Sequence, residues 1–295
     1  MAAGNMPAAE VEVTVAVVRE LMASQRPDLA DRDISLLSFG WDNLSFRVGP
    51  DLVARLPRRA VAVELLGNEA RWLPGLAPNL PLPIPAPLFV GEPDENYPWP
   101  WSLVPLIPGE TAAESETLDQ ERCAVQLAEF LRALHQPAPQ GAPANPYRGV
   151  PLIDRDHVVG ERLESLGELV DRPILEEIWR GALAAPVFPG PPLWLHGDLH
   201  PMNLLVVAGS LSGVIDFGDL TAGDPATDLG VAWMLFDGPG RARFKSLHGG
   251  GDDGIWARSA GWALSLGLAY LSHSADNPVM ERIGERTLAA VIEEV

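Results

Sequence analysis

The spacing of apolar and polar residues changes character about one third of the way along the chain. Early in the chain, the short runs ISLLSFG, NLSFRVG and DLVARLP alternate or are apolar and are separated by Gly, Asp and Pro. They predict three antiparallel strands. An opening helix is predicted over residues 11–22, and VAVELLGNEARWLPGL has the spacing of a second helix. The Pro-rich stretch that follows cannot form a continuous helix, so it predicts an extended connection into strands near 87–91 and 100–106.

The pattern becomes helical after VPLIPGE, residues 104–110. Apolar residues at helical spacing predict six helices, over residues 118–135, 155–169, 173–184, 226–236, 254–273 and 277–293. Residues 193–217 are the exception, because short apolar runs there surround polar turns. We therefore expect an α+β, two-lobed fold. A small antiparallel-sheet lobe covers residues 1–104, a hinge covers 105–110, and a larger, mostly helical lobe covers 111–295.

Composition narrows the class of protein. Hydrophobic residues make up 47% of the 295 residues, which is enough for a sizeable core. The one cysteine, Cys123, excludes an intramolecular disulfide and a Cys-based zinc site. The N-terminus lacks the basic start and long apolar segment of a signal peptide, and the longest nearly uncharged apolar stretch, from Gly261, is too short to span a bilayer. We expect a cytoplasmic protein.

The charge of the chain bears on its partners. A formal net charge of −19 repels phosphate groups, so neither nucleic acid nor an anionic membrane is an expected partner. Most of the acidic excess lies after residue 110. This excess would attract a cationic ligand, although a solvated acidic surface that keeps the protein soluble explains it equally well.

Candidate chemistry is concentrated in LWLHGDLHPMNLLVV, residues 193–207. Asp198 and Asn203 form the pattern His-Gly-Asp, four residues, Asn, and eighteen residues after Asp198 an apolar run ends in Asp216, which opens an Asp-Phe-Gly triplet. Protein kinases carry similarly spaced motifs, because phosphoryl transfer needs a carboxylate to orient the attacking hydroxyl and oxygen ligands to hold Mg²⁺. One such Asp alone is usually a turn residue, but the combination favours catalysis. We expect His196 to be structural, whereas His200 either lines the site or packs.

The motifs HGDLHPMN, VIDFGD and GDPATDLG resemble those of the aminoglycoside phosphotransferase family, small-molecule kinases whose fold is similar to that of protein kinases. GWDN, VARLP and NEARWL fall in the expected order, so the resemblance covers most of the chain. It implies that Asp198 is the catalytic base and that Asn203 and Asp216 are metal ligands. It also implies that Asp228 is a buried acceptor that fixes the catalytic loop and that Asp224 helps to begin the next helix, where a simple N-cap explains as much.

The resemblance also assigns a nucleotide site to the small lobe. Kinases place a lysine on the third strand, paired with a Glu on the following helix. The chain's only lysine, Lys245, lies far downstream, and Arg55 occupies the matching position, with Glu69 as the helix acid. Arg and Lys are not interchangeable at phosphate, which makes Arg55 the main departure from the family pattern. Asn43 in GWDN would contact phosphates, although a plain hairpin turn explains this residue too.

At the hinge, the Pro105 carbonyl and the Ile107 amide would read the nucleotide base. The expected function is Mg²⁺-dependent transfer of the γ-phosphate of ATP or GTP to a hydroxyl of a small molecule, an aminoglycoside or another cationic substrate being compatible with the acidic C-terminal part. The alternative is a nucleotide-binding pseudokinase that senses or scaffolds, with Arg55 as the sign of lost chemistry. A protein kinase is disfavoured, because HGD replaces HRD and no A-P-E segment follows. The sequence leaves the acceptor, the preferred nucleotide and the oligomeric state open.

Overall fold

The computed structural model describes residues 7–249, 251–274 and 276–294 and divides into two compact units. Unit 1 contains the described residues up to Asn79, together with Pro83–Pro108 and Val214–Gly218. Unit 2 contains Leu80–Leu82, Gly109–Gly213 and the described residues from Asp219 onward. The sequence-based division at residues 105–110 does not include the return of Val214–Gly218 to unit 1, and this short segment carries Asp216.

Unit 1 is built on a five-stranded antiparallel sheet with the order β1-β2-β3-β5-β4. Its strands are β1 (Ile34–Phe39), β2 (Asn43–Val48), β3 (Leu52–Pro57), β4 (Phe89–Gly91) and β5 (Trp101–Pro105). The sequence predicted all five, β1 to β3 from short alternating or apolar runs and β4 and β5 as strands that follow the Pro-rich connection, and that prediction is confirmed. In the register of the sheet, Arg55 on β3 lies between Ser45 and Ser102. This residue therefore lies on the central strand.

Two α-helices accompany this sheet, α1 (Val15–Gln25) and α2 (Val61–Leu76). The first begins later than the predicted residue 11, because the Thr14 hydroxyl accepts a hydrogen bond from the Val17 N–H and caps the helix. One face of α2 is buried and carries Glu69 among apolar residues. The core of unit 1 includes Val18, Leu21, Phe46, Leu56, Trp101 and Leu103. Burying each large side chain of this kind contributes roughly 2 kcal/mol, so the core fixes the strand that carries Arg55.

Unit 2 is mostly helical. Its helices are α3 (Gln120–Leu134), α4 (Asp156–Leu166), α5 (Arg172–Ala184), α6 (Ala226–Leu229), α7 (Val231–Leu235), α8 (Gly238–His248), α9 (Ile255–His273) and α10 (Pro278–Ile292). The long, largely buried α9 packs against α4, α5, α6 and α10. No described helix is long and apolar enough to cross a membrane.

Two details of these helices differ from the sequence prediction. The single helix predicted over 226–236 is divided between α6 and α7 at Gly230, where an added Cβ would lie 3.1 Å from the Ala263 backbone nitrogen. Helix α8 was not predicted, because its first residues, GPGR, are typical of a loop. The Asp237 carboxylate caps α8 by accepting from the Gly240 N–H at 2.8 Å, and Pro occupies the first turn, where its missing N–H costs nothing.

Short strands in unit 2 hold the polar turns in place. They are β6 (Glu110–Thr111), β7 (Leu193–Leu195), β8 (Leu204–Val207), β9 (Ser210–Val214) and β10 (Thr221–Gly223). β7 pairs with β10, and β8 lies between β6 and β9. The segment His196–Asn203, which we name the HGD loop, therefore runs from the end of β7 to the start of β8, with both ends anchored in sheets.

Candidate active site

A buried carboxylate fixes the backbone of the HGD loop. Asp228, on α6, is fully buried, and its two oxygens accept the N–H groups of His196 at 2.8 Å and of Gly197 at 2.9 Å. His135 Nε2 lies 3.1 Å from the same carboxylate. Charge-assisted hydrogen bonds away from water are strong and geometrically restrictive. The buried, loop-fixing acceptor that the family resemblance implied for Asp228 is confirmed.

The glycine of His-Gly-Asp is required by the backbone. Gly197 has a φ of +88°, which side chains with a Cβ rarely adopt. A Cβ built at this position would lie 2.2 Å from the carbonyl oxygen of Asp219, closer than any van der Waals contact allows. The close approach of these two backbone segments explains why a glycine stands where the protein-kinase motif has an arginine.

Asp198 is held as an ionised carboxylate. Its Oδ1 accepts a hydrogen bond from Arg148 Nη2 at 3.0 Å, and His200 Nε2 lies 3.4 Å from Oδ2. Burial raises the pKa of Asp198, but the contacts with His200 and Arg148 outweigh burial and hold the pKa well below its usual range. The side chain is 26% exposed, so the carboxylate remains within reach of a ligand.

The two histidines of the loop take different positions. His196 Nδ1 accepts the Asp198 N–H at 3.2 Å, the structural position expected for it. His200 Nδ1 accepts the Met202 N–H, which leaves the proton on Nε2, the atom that faces Asp198. The sequence left open whether His200 lines the site or packs. Its ring contacts Asp198, so it lines the candidate site.

Asn203 is oriented by the same loop. Its side-chain nitrogen donates to the Asp198 backbone oxygen at 2.9 Å, and the residue is 6% exposed. No hydrogen bond from a described residue reaches its Oδ1. The amide therefore directs its oxygen, a suitable ligand for a hard cation, away from the loop contacts.

Unit 1 brings three other predicted residues together. Arg55 forms an ion pair with the buried Glu69, and Arg55 Nη2 lies 3.6 Å from Asp216 Oδ1. Burial lowers the pKa of Arg55, but the charges of Glu69 and Asp216 more than compensate, so the pKa is raised and the guanidinium stays charged. Asp216 has a φ of +64° and a side chain that is 61% exposed. A non-glycine residue in this conformation often marks a functional position.

The other predicted nucleotide contacts also lie in unit 1. Asn43 begins β2, and its buried Oδ1 has no hydrogen-bond partner among the described residues. Pro105 is the last residue of β5, opposite Leu52, and the Ile107 N–H donates to no described residue. No hydrogen bond within the described chain joins Asn43, Pro105 or Ile107 to Arg55.

The described residues offer few side chains that could coordinate a metal ion. Among the described residues, no group of three or more His, Cys, Asp and Glu side chains could hold a metal ion. The two predicted ligands lie in different units, Asn203 with an amide oxygen in unit 2 and Asp216 with a carboxylate in unit 1. Each is an oxygen ligand of the kind that Mg²⁺ binds.

Sequence reasoning missed several residues around Asp198. Arg148 lies fifty positions earlier, in a loop without a recognisable motif. The Tyr270 ring packs edge-on against His200, and its buried hydroxyl has no partner among the described residues. Asn145 Nδ2 donates to Asp219 Oδ1 at 2.5 Å. Only the fold brings these residues together, so no local signal in the sequence would have found them.

Asp224 takes a larger part than an N-cap. Its Oδ1 accepts the Ala226 N–H at 3.0 Å, as expected for a residue that helps to begin α6. Arg258, on α9, donates to both of its carboxylate oxygens, at 2.6 and 3.2 Å. Asp224 therefore also ties the start of α6 to the central helix of unit 2.

Comparison with known proteins shows the family and the fold of this chain. The model of the phosphotransferase enzyme family matches residues 33–262. No curated protein matches the chain. The solved GDP complex of wild-type aminoglycoside 2'-phosphotransferase-IIIa is 22% identical, with a TM-score of 0.73, over 96% of this chain and 100% of that one.

Two further structures show the same fold. A GDP and kanamycin complex of an aminoglycoside phosphotransferase is 22% identical, with a TM-score of 0.70, over 94% of this chain and 98% of that one. The macrolide 2'-phosphotransferase from Brachybacterium faecium is 23% identical, with a TM-score of 0.63, over 92% and 98%. The expected kinase-like fold, with a small antiparallel-sheet part and a larger helical part, is confirmed.

Proposed function

Because this chain belongs to the phosphotransferase enzyme family, we propose that it transfers the γ-phosphoryl group of ATP or GTP to a hydroxyl group of a small molecule. The observation that carries the proposal is the ionised Asp198 carboxylate, partly exposed on a loop whose backbone Asp228 fixes. The nucleotides GDP, ATP and ADP named for structures of the same fold support a nucleoside triphosphate as donor. A cytoplasmic location, where such donors are available, is part of the proposal.

Asp198 orients the acceptor and receives its proton. The acceptor hydroxyl donates a hydrogen bond to the carboxylate, which points the oxygen lone pair toward the γ-phosphorus. The low pKa of Asp198 makes it a weak base. Phosphoryl transfer passes through a loose transition state, so positioning matters more than early proton removal, and the proton moves to Asp198 late in the reaction. His200 and Arg148 hold the carboxylate in place for this step.

Arg55 binds the phosphates of the donor. Its planar guanidinium has donors on several edges, so the contact with Glu69 leaves others for phosphate oxygens. Glu69 thus takes the positioning role that the family pattern gives to the helix acid. The unpartnered Asn43 amide oxygen belongs to a side chain that also carries an NH₂ group, a donor suited to a phosphate.

The free Ile107 N–H, together with the Pro105 carbonyl, offers the donor and acceptor needed to read a purine edge. Both atoms belong to the backbone, so their hydrogen-bonding character does not depend on side-chain identity. The proposal therefore leaves adenine and guanine as candidates of equal standing, to be separated by measurement.

Asn203 and Asp216 are the residues that would hold Mg²⁺. The Asn203 Oδ1 receives no hydrogen bond from the described chain, and the Asp216 carboxylate is largely exposed, so both oxygens are available. When bound, Mg²⁺ neutralises charge on the polyphosphate. Arg55, near Asp216, adds a fixed positive charge at the same carboxylate.

Phosphorus NMR with Mg-ATP or Mg-GTP tests the proposal. The wild-type chain is incubated with aminoglycosides, macrolides, amino alcohols, sugars and hydroxy acids, and each mixture is followed for a new phosphate ester and an equal amount of nucleoside diphosphate. Slow hydrolysis without an acceptor is recorded too, because water can replace the hydroxyl. We expect ester formation that Asp198→Ala abolishes. Tight nucleotide binding with neither ester nor hydrolysis would contradict the proposal and favour a pseudokinase.

A further inference from the structure

Three arginines of unit 2 form a group of like charges, and one of them, Arg148, contacts the candidate base. Arg148 contacts Asp198, Arg155 ends the turn that precedes α4, and Arg162 lies on α4. Arg155 and Arg162 are seven residues apart, about two helical turns, which places them on one face. After burial, the positive charge of Arg148 is among the causes that lower the pKa of both residues. We call Arg148, Arg155 and Arg162 the arginine cluster.

Few carboxylates of the described chain form ion pairs with the arginine cluster. Arg155 is 8% exposed, makes no ion pair within the described chain, and has a buried Nε without a hydrogen-bond partner. Its guanidinium lies over the Tyr147 ring at 5.7 Å, a contact that compensates only part of the lost hydration. The Nε of Arg148 is likewise buried and has no hydrogen-bond partner among the described residues. In the same part of the chain, the Ser265 carbonyl oxygen, at 3.2 Å, is the one acceptor of Arg162.

Nearby acids offset the charge of Arg148 alone: burial lowers its pKa, but Asp198 and Asp219 outweigh burial and raise it. Within the described chain, no carboxylate forms an ion pair with Arg155 or Arg162. Asp198 is already paired with Arg148, and Asp219 accepts from Asn145. Asp154 and Glu161 act on Arg155 and Arg162 from beyond ion-pair distance. Burial, with the charge of Arg148, lowers the pKa of Arg155, and burial with Arg155 and Arg148 lowers that of Arg162 to about 10. The buried Arg155 guanidinium thus lacks a carboxylate partner within the described chain, and an oxyanion would supply one.

A second unsatisfied donor lies at the same place. The Tyr270 hydroxyl is buried and no described residue is its hydrogen-bond partner. Burial together with Asp198 raises its pKa, so it keeps its proton. It therefore remains a hydrogen-bond donor that interacts with the charges of both Asp198 and Arg148. Buried donors of this kind are costly unless a ligand satisfies them.

We propose that the acceptor carries an oxyanion, a carboxylate or a phosphate, which Arg155 and Arg162 bind while Asp198 orients the hydroxyl. The assignment of the hydroxyl to Asp198 rests on the proposed function, whereas the anion site stands on the arginines themselves. Planar guanidinium groups match both oxyanions. The local charge thus points to an anionic acceptor, opposite to the cationic one that the acidic total charge made compatible.

One cleft of unit 2 carries mixed charge. A cleft of about 610 Å³ opens beside Pro201, and its lining combines Arg282 and Arg286 with Glu116 and Glu285. Charges of both signs are present there, so this cleft does not select an anion.

Calorimetric titration with inorganic phosphate and with acetate tests the anion site without turnover. We expect wild-type chain to bind at least one of the two, and Arg155→Gln/Arg162→Gln to bind it about tenfold or more weakly. Arg155→Lys, which keeps the charge, should retain part of the affinity if the folded state is intact. The matched controls are Arg172→Gln, an exposed arginine of unit 2, and Arg55→Gln in the nucleotide site. Absent binding, or binding that only Arg55→Gln removes, would overturn the proposal.

Turnover separates this inference from the proposed function. The acceptors are gluconate and glucose 6-phosphate, with neutral glucose, cationic glucosamine and kanamycin as comparisons. The inference is supported if the KM is lower for an anionic acceptor than for the neutral and cationic ones, and if Arg162→Gln alone raises that KM about tenfold. Transfer to glucosamine or kanamycin in preference to both anions overturns it and leaves the phosphotransferase intact. Arginine-dependent anion binding without any transfer or hydrolysis supports the anion site and contradicts the phosphotransferase.

Discussion

Arg148 donates a hydrogen bond from Nη2 to Oδ1 of Asp198 at 3.0 Å, although fifty residues separate them along the chain. The contact fixes one oxygen of the candidate base and leaves the other beside His200. Burial raises the pKa of Asp198, but His200 and, to a smaller extent, Arg148 outweigh burial and keep the carboxylate ionised at physiological pH. Arg148 is thus a positioning residue for Asp198.

This relationship predicts a change in pH dependence. Burial alone would raise the pKa of Asp198, so Arg148→Gln removes a cation that opposes burial, and the pKa rises. The wild-type kcat/KM should not lose activity to Asp198 protonation above about pH 4. In Arg148→Gln the acid limb should move to higher pH by about one unit. Arg148→Lys should move it less. Superimposable pH profiles would show that Arg148 does not act through Asp198.

Removal of the buried Asp228 carboxylate should destabilise unit 2. Asp228→Ala leaves the buried N–H groups of His196 and Gly197 without acceptors, so we expect a loss of about 3 kcal/mol in the free energy of unfolding. Urea denaturation measures the loss, with Asp253→Ala, an exposed aspartate of the same unit, as control. An equal, small effect in both variants would contradict the role assigned to Asp228.

Gly197 and Gly160 form a matched pair for the backbone argument. Gly197→Ala places a Cβ against the Asp219 carbonyl at a φ of +88°, so the loop must move, and we expect activity to fall by at least about tenfold. Gly160→Ala, on α4, meets nothing within 4 Å and should stabilise the helix by about 0.5–1 kcal/mol. Activity assays and thermal unfolding of both variants check this. Full activity in Gly197→Ala would mean that the loop tolerates displacement.

Arg55 is expected to act on the nucleotide. Arg55→Gln should raise the KM for the triphosphate about tenfold or more, because the bond to phosphate loses its charge. Arg55→Lys should be intermediate, since an ammonium keeps the charge but cannot reach Glu69 and phosphate with a planar fork. Arg47→Gln, on the neighbouring β2 and bonded only to backbone oxygens, is the control. Steady-state kinetics in which Arg47→Gln and Arg55→Gln behave alike would remove Arg55 from the site.

Much of the fold was predictable because its signals are local. Short alternating or apolar runs identified β1, β2 and β3, and the Pro-rich connection pointed to β4 and β5. Helical spacing identified α3, α5, α9 and α10 within a few residues. Local signals failed where tertiary contacts decide. Helix α8 begins with Gly and Pro and depends on the Asp237 cap, and the break at Gly230 arises from its close approach to Ala263.

The candidate site likewise contains residues that the sequence identifies and residues that only the fold brings together. Asp198, Asn203, Asp216 and Asp228 stand in short motifs, so the pattern alone singled them out. Arg148 and Tyr270 carry no motif, and their closeness to Asp198 is a product of the folded chain. The net charge of the chain, −19, gives no sign of the arginine cluster, which forms only in the folded protein.

The most direct test of the central claim compares Asp198→Ala with Asp216→Ala for turnover and for Mg-nucleotide affinity. If Asp198 orients the hydroxyl, its loss lowers kcat by about 10²–10⁴-fold while the nucleotide dissociation constant stays within about threefold of wild type. Asp216→Ala should instead weaken Mg-nucleotide binding itself. Equal losses of nucleotide affinity in the two variants, or near wild-type turnover in Asp198→Ala, would contradict the assignment of Asp198 as the catalytic base.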